Sequence, residues 1–301
     1  MTENEKQGEY TGWYKWFPTT EEWCELETSP KRLPDSLIGK VYNNQYILAY
    51  EATSDGDKLR TQYCYENGKL RKFGRSSIKY TNKVGGKSST RVVSAKNDEQ
   101  VCVIDMLHDR EKTIKLLTGT WGVGKDYMMV SAALEALEHN IFDKIVWIRN
   151  NVRLADTPDL GALPGDKNEK LLDYLGPFID HCGEAGVACM INNGQLVVEP
   201  LQSLRGRNLE RCIIMCSEAE NLTTSHIQLI IARAAEGSEV WFNGDIAQVD
   251  KEVFRKSRGI NNLIDALQGD ECFGYIQMIK SERSKTAAKA DLLNKYNTDK
   301  K

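Results

Sequence analysis

The stretch from Thr118 to Tyr127, Thr-Gly-Thr-Trp-Gly-Val-Gly-Lys-Asp-Tyr, constrains the fold of this chain more than any other. Gly119, Gly122, Gly124 and Lys125 fall at the spacing of a P-loop, where glycines let backbone N–H groups wrap phosphates and the lysine reaches the terminal ones. Ile114 to Leu117 reads as a buried strand feeding the loop. Met128, Met129, Ala132, Ala133, Leu134, Ala136 and Leu137 then mark the apolar side of a helix. Phosphate would sit at that helix N-terminus, where N–H groups and the dipole favour anions. The nucleotide-contacting residues expected here are Gly119, Thr120, Trp121, Gly122, Val123, Gly124, Lys125, Asp126 and Tyr127. One of them breaks the pattern: where Ser or Thr would ligate magnesium, the chain has Asp126.

Strands and helices alternate on both sides of the loop. Asn97 is a plausible N-cap for an amphipathic helix carrying Val101, Ile104, Met106 and Leu107. Lys144 to Ile148 reads as a strand ending at Arg149, Lys167 to Cys182 as a helix, and Val187 to Pro200 as a hairpin about Asn192-Asn193-Gly194. Cys212 to Cys216 is an apolar strand with Ser217 and Glu218 at its C-terminal end. Val240 to Phe242 is another, followed by Asn243-Gly-Asp245 and Gln248. This order predicts an α/β fold with a parallel sheet, ligands gathering at the C-terminal strand ends.

Residues 37–91 read differently, as short alternating segments split by Ser-Asp-Gly and Glu-Asn-Gly turns: a small antiparallel β domain. Across residues 58–91 ten cations, among them Lys58, Arg60, Lys69, Arg71, Lys72, Arg75, Lys79 and Arg91, meet only Glu66, although the whole chain has a formal net charge of -3. Two readings stay open. Tyr63, Tyr65, Phe73 and Tyr80 stack bases while the cations hold phosphates, or the charges form a solvated face leading to a flexible linker over Gly85 to Ser89. Residues 1–36 carry Tyr10, Trp13, Tyr14, Trp16, Phe17 and Trp23, apolar area expected to pack on the body of the protein or on a partner. Residues 92–301 form the P-loop domain.

No apolar run approaches the roughly 20 residues of a membrane span, and the polar opening Met1 to Lys6 is unlike a signal peptide, so a cytoplasmic protein is expected. The eight cysteines include no Cys-x-x-Cys pair and the four histidines are scattered, which argues against disulfides and against zinc.

Several strings stand in a fixed order: Asn43-Asn-Gln-Tyr-Ile-Leu48, Asn97-x-x-Gln100, Leu163-Pro-Gly-Asp166 with Glu169-Lys170, and Leu204-Arg-Gly-Arg207. Glu218-Ala-Glu-Asn-Leu-Thr223, Gly244-Asp-x-x-Gln-x-Asp250 and Glu282-Arg-Ser284 follow. Together, over roughly residues 43–294, they resemble the PhoH-like ATPases, in particular the form in which a helicase-like module follows a PIN-type nuclease. The resemblance implies a RecA-like P-loop NTPase core, ATP with Mg2+ as cofactors, and ATP hydrolysis driving helicase-like work on RNA or single-stranded nucleic acid. It also implies a homo-oligomeric ring, a hexamer, with nucleotide between subunits. It places Gln100 as the reader of adenine, Glu218 as the base that orients water, Asp245 and Gln248 as γ-phosphate sensors, and Arg283 as an arginine finger. Arg149, Arg205 and Arg207 become phosphate or nucleic-acid contacts, or surface ion pairs.

Two departures are evident. Only residues 1–36 precede the β unit, so no PIN nuclease activity is carried over. The family's Asp-Glu-Ala-Gln appears as Ser217-Glu-Ala-Glu220, which puts a serine where an aspartate organises magnesium. With Asp126 this is either a reciprocal exchange that keeps a metal site of Asp126 and Ser217, or the mark of a nucleotide-binding pseudo-ATPase serving as a regulatory or assembly subunit.

Overall fold

The computed structural model describes residues 10–84, 87–149, 175–249, 251–282 and 289. Within the N-terminal part, β1 (Trp13–Trp16), α1 (Thr20–Thr28), β2 (Gln45–Thr53), β3 (Gly56–Glu66) and β4 (Lys69–Lys72) follow in order. The strands form a four-stranded sheet in the order β1-β2-β3-β4, antiparallel from β2 to β4. The Glu-Asn-Gly signal acts as expected: Asn67 and Gly68 take positive φ, 50° and 78°, the geometry of a tight hairpin turn. β1 adds to β2 in parallel, so the aromatic N-terminal segment belongs to this sheet. Its Trp16 joins Leu26, Leu37, Ile47, Ala49, Tyr63 and Leu70 in a separate small core.

A second hairpin, β5 (Ser77–Val84) with β6 (Lys87–Ser94), forms its own two-stranded sheet and places Ile78, Tyr80 and Val93 in the main core. The expected linker over Gly85 to Ser89 is therefore corrected, because Ser88 and Ser89 pair with Lys83 and Asn82.

The α/β core begins with α2 (Asp98–His108), whose N-cap Asn97 accepts the Gln100 N–H at 3.0 Å as expected. After it come β7 (Ile114–Gly119), α3 (Lys125–Glu138), β8 (Lys144–Arg149), α4 (Gly176–Asn192), β9 (Leu196–Pro200) and β10 (Cys212–Cys216). α5 (Thr224–Ile231), β11 (Glu239–Gly244), α6 (Glu252–Ser257), α7 (Gly259–Leu267) and β12 (Phe273–Met278) complete it. The six strands lie parallel in the order β12-β7-β11-β10-β8-β9. Their alternating side chains explain why both faces are covered. Leu117, Ile145, Trp147, Ile213, Met215 and Trp241 pack toward α2, α3 and α4. Leu116, Val146, Ile148, Ile214, Val240 and Phe242 pack toward α5 and α7.

The hairpin expected over Val187 to Pro200 is not formed. Asn192-Asn193-Gly194 ends α4 instead: Gly194 at φ 70° sends its N–H back to Ile191 O at 3.0 Å, a left-handed helix cap. β9 then pairs in parallel with β8. The expected helix over Lys167 to Cys182 falls partly outside the described residues, and its described portion belongs to α4.

The N-terminal sheet is fastened to the edge of the core at β12. Trp13 Nε1 donates to Gln277 O at 2.9 Å, and Gln277 N donates to Thr11 O at 2.8 Å. Gly12 sits so close that a Cβ there would lie 1.7 Å from Tyr275 O. Of the two options for the aromatic segment, packing on the body is the one observed.

Burial also corrects the basic face. Tyr63, Phe73 and Tyr80 are core residues, not stacking platforms. Several of the cations meet carboxylates that are distant in sequence or earlier in it: Arg71 pairs with Glu66 and Asp105 at 2.7 Å each, Arg75 with Glu135, and Arg60 with Glu51. Lys58, Lys69, Lys72, Lys79 and Arg91 remain exposed. Arg71 thus joins the two parts of the molecule. Arg71→Ala should cost about 2 kcal/mol of stability by stranding half-buried carboxylates, while Lys69→Ala should stay within about 0.5 kcal/mol; denaturant unfolding of both variants measures the difference.

Candidate nucleotide site

The strand, the loop and the helix meet as the sequence requires. β7 ends at Gly119, and α3 starts at Lys125 behind Gly124, which takes the left-handed conformation at φ 94°. Gly119 has φ 146°, and a Cβ on it would lie 2.2 Å from Met278 O, so glycine lets the loop pass the end of β12. Lys125 Nζ donates to the loop carbonyls of Gly119 at 2.6 Å and Thr120 at 3.0 Å, which poises the ammonium over the loop. Val123 is buried, whereas Trp121 and Tyr127 are about half exposed. Trp121 lines the cleft beside the loop, and Tyr127 stacks on His181 with ring centroids 4.4 Å apart.

Gln100 is buried behind the loop. Its Nε2 donates to Val123 O at 3.1 Å and its Oε1 accepts Lys96 N–H at 2.8 Å. The amide keeps one N–H and one lone pair beyond these bonds, and it braces the loop directly. Glu282 adds a second brace: its N–H reaches Gly122 O at 3.2 Å and its carboxylate takes Asn97 Nδ2 at 2.8 Å.

Opposite the loop, β10 and β11 end in the same cleft, which encloses about 480 Å³. Lys125, Asp126, Ser217, Glu218, Asp245 and Gln248 all line it, so residues up to 123 positions apart converge as the sequence reading requires. Asp126 and Ser217 touch: Ser217 Oγ donates to Asp126 Oδ1 at 2.8 Å. Asn243 completes a triad, donating from Nδ2 to the same Oδ1 at 2.8 Å and lying 3.0 Å from Ser217 Oγ through its Oδ1. Asp245 is buried and accepts Gln248 Nε2 at 2.7 Å. Glu218 is exposed, on a left-handed backbone at φ 55° and ψ 43°, a conformation that costs a non-glycine residue energy and clusters at functional sites.

Sequence reasoning missed Asn243 and Glu220. Asn243 is 1% exposed at the end of an apolar strand, and a buried amide there signals a required partner. Glu220 Oε2 accepts the Asp245 N–H at 3.1 Å, and burial, with the Glu218 charge, pushes the carboxyl up to about 7. Arg283 lies outside the described residues, as do Leu163 to Asp166 with Glu169 and Lys170. Arg205 is exposed, and Arg207 pairs with Glu199 at 3.1 Å.

The PhoH-like protein family matches residues 92–297 of this chain. The chain belongs to the PhoH-like proteins. Among curated relatives, Protein PhoH2 of Bacillus subtilis is 30% identical over 213 residues, 67% of this chain and 48% of its own length. Protein PhoH2 of Mycolicibacterium smegmatis is 32% identical over 63% of this chain and 44% of its own, and Protein PhoH of Escherichia coli K12 is 28% identical over 69% and 59%. The PhoH-like chain thus spans about half the length of these relatives. The solved Pif1 helicase from Candida albicans aligns with 67% of this chain and 44% of its own at 15% identity and a TM-score of 0.35, too remote to bear on function. No described helix is long and apolar enough to cross a membrane.

A PhoH-like P-loop fold implies nucleotide with Mg2+, and the donor set of the cleft fits that ion. Asp126 and Ser217 offer hard oxygen donors, and Ser217 and Asn243 both bond Asp126 through the same oxygen, Oδ1. Among the described residues no three His, Cys, Asp or Glu side chains cluster tightly enough to hold a metal alone. Mg2+ commonly binds through one or two carboxylates together with substrate phosphates. Gly119→Ala should cost more than about 2 kcal/mol through left-handed strain and the clash with Met278 O; thermal unfolding reads the loss.

Proposed function

We propose that this PhoH-like protein binds ATP with Mg2+ in the cleft and hydrolyses it as a helicase-like motor on RNA or single-stranded nucleic acid. The observation that carries the reading is the 2.8 Å hydrogen bond between Ser217 and Asp126. In other P-loop enzymes the loop supplies a hydroxyl to magnesium and the neighbouring strand a carboxylate. Here the groups have changed places and still meet, held by Asn243. A site decaying at random has no reason to keep one carboxylate and one hydroxyl in register.

On this reading Asp126 would hold magnesium, and Ser217, which donates to its carboxylate, would orient that carboxylate. The bound ion would neutralise phosphate charge. Lys125 exchanges its loop carbonyls for the terminal phosphates, and Gln100 presents its remaining amide capacity to the adenine edge. Glu218 orients the attacking water, while Asp245 and Gln248, already bonded to each other, register loss of the γ-phosphate. Arg283 stabilises the transferring phosphoryl group across a subunit boundary in a homo-oligomeric, hexameric ring. The exposed Lys58, Lys69, Lys72, Lys79 and Arg91 hold nucleic-acid phosphates. The protein acts in the cytoplasm.

The second reading, a pseudo-ATPase that regulates or assembles other components, draws on the same pair of substitutions. Phosphate release from ATP with and without single-stranded RNA separates the two. The wild type should release phosphate and be stimulated by RNA. Asp126→Thr should lower turnover by about 100-fold or more, since no carboxylate remains at either position, and Asp126→Thr with Ser217→Asp should recover it. An inactive wild type beside an active double variant would establish the pseudo-ATPase.

A further inference from the structure

Glu220 is a half-buried cleft carboxylate to which the proposed chemistry gives no role. It occupies the short 3-10 turn Ala219–Asn221 after β10 and lines two cavities at once. One is the nucleotide cleft. The other, about 290 Å³, lies beyond it and carries Arg255 and Arg258 on a floor of Ile246, Phe254 and Ile260.

The carboxyl reaches the end of β11 because residue 244 is glycine. A Cβ on Gly244 would lie 2.5 Å from Glu220 Oε2 and 2.9 Å from Ile260 Cδ1. Glu220 therefore holds the backbone of Asp245, and Asp245 holds Gln248. Its charged neighbours are Glu218 on its own turn, Asp245 at the end of β11, Lys125 and Asp126 at the start of α3, and Arg255 and Arg258 across the second cavity. A nucleotide polyphosphate keeps net negative charge even with Mg2+ bound, and it enters beside an acidic set that includes Glu218, Glu220 and Asp245, in a setting drier than bulk water. Such a charge makes ionisation of the half-buried Glu220 carboxyl still harder.

We propose that Glu220 takes up one proton when a nucleotide polyphosphate occupies the cleft, so that nucleotide binding is linked to pH and Glu220 holds the Asp245–Gln248 pair as a neutral carboxyl. The proton comes from solvent and adds to one carboxylate oxygen. No other covalent bond changes, and the remaining carbonyl oxygen retains the Asp245 N–H. Glu220 is a positioning residue in this scheme. The inference rests on the nucleotide-binding reading and deepens it.

Calorimetric titration with Mg·ADP, in buffers of different protonation enthalpy, measures the linkage. Near pH 8 the wild type should take up close to one proton more than Glu220→Gln, whose amide keeps an acceptor for Asp245 N–H but cannot titrate. The variant should bind Mg·ADP about tenfold more tightly than wild type at pH 8 and equally at pH 6. Equal proton stoichiometry in the two proteins would overturn the proposal. Absence of binding by both at every pH would overturn the nucleotide reading and this inference with it.

Unfolding provides a check without ligand. An acid whose folded pKa is raised stabilises the fold below the ordinary carboxylate range and loses that contribution as pH rises through its folded value, about 7. Glu220→Gln should therefore gain melting temperature over wild type between pH 5 and pH 8. A gap that stays constant with pH would contradict a titrating Glu220.

Discussion

The hydrogen-bonded triad of Asp126, Ser217 and Asn243 is the interaction on which the cleft depends. It joins the first turn of α3 to the ends of β10 and β11. A polar group taken out of water is costly unless it finds a partner, and the buried Asn243 amide finds Asp126, Ser217 and, at 3.3 Å, Met129 Sδ. The helix N-terminus adds a reason for the carboxylate to sit at position 126, since an anion in the first turn is favoured by the unpaired N–H groups there. The exchange of groups between loop and strand is thus compatible with local helix physics as well as with metal chemistry.

The remainder of the fold keeps those strand ends in register. Buried charge does part of this at the opposite end of the sheet, where Lys115 on β7 and Arg110 both bind Glu239 on β11, and Trp241 Nε1 donates to the same carboxylate at 2.7 Å. Burial lowers the Lys115 ammonium to about 8, and its partner keeps the charge compensated. Hydrogen bonds do the corresponding work at the loop, where Gln100 and Glu282 bind its carbonyls from α2 and from the segment after β12. The N-terminal sheet reaches that same edge through Trp13, Thr11 and Gly12, so a change at β12 would be felt by both parts.

Much of this was legible in the sequence because it rests on local rules. Glycine spacing, a capped helix and polar residues at the ends of apolar strands are each written in neighbouring positions, and the P-loop, the Asn97 cap and the convergence of Ser217, Glu218 and Asp245 followed. The failures have a common physical origin in context. Asn193-Gly194 suits a hairpin turn and a helix C-cap equally, and only the helix before it decides; that helix is the second half of α4, set off from the first by the non-helical Gly183 (φ 69°, ψ 164°) and carrying Gly186, which hid it. The charges of residues 58–91 looked unbalanced because carboxylates such as Asp105 and Glu135 come from the core. Tyr63 and Tyr80 looked available for stacking because alternation alone does not say which face another layer covers.

On the proposed reading Asp126 serves magnesium and is a liability without it, because an uncompensated carboxylate would face the phosphates. ADP affinity of the wild type and of Asp126→Thr, each measured with magnesium and with a chelator, tests it most directly. The wild type should lose at least about tenfold more affinity on magnesium removal than the variant does. Equal losses in the two proteins would show that Asp126 neither holds the ion nor opposes the bare nucleotide.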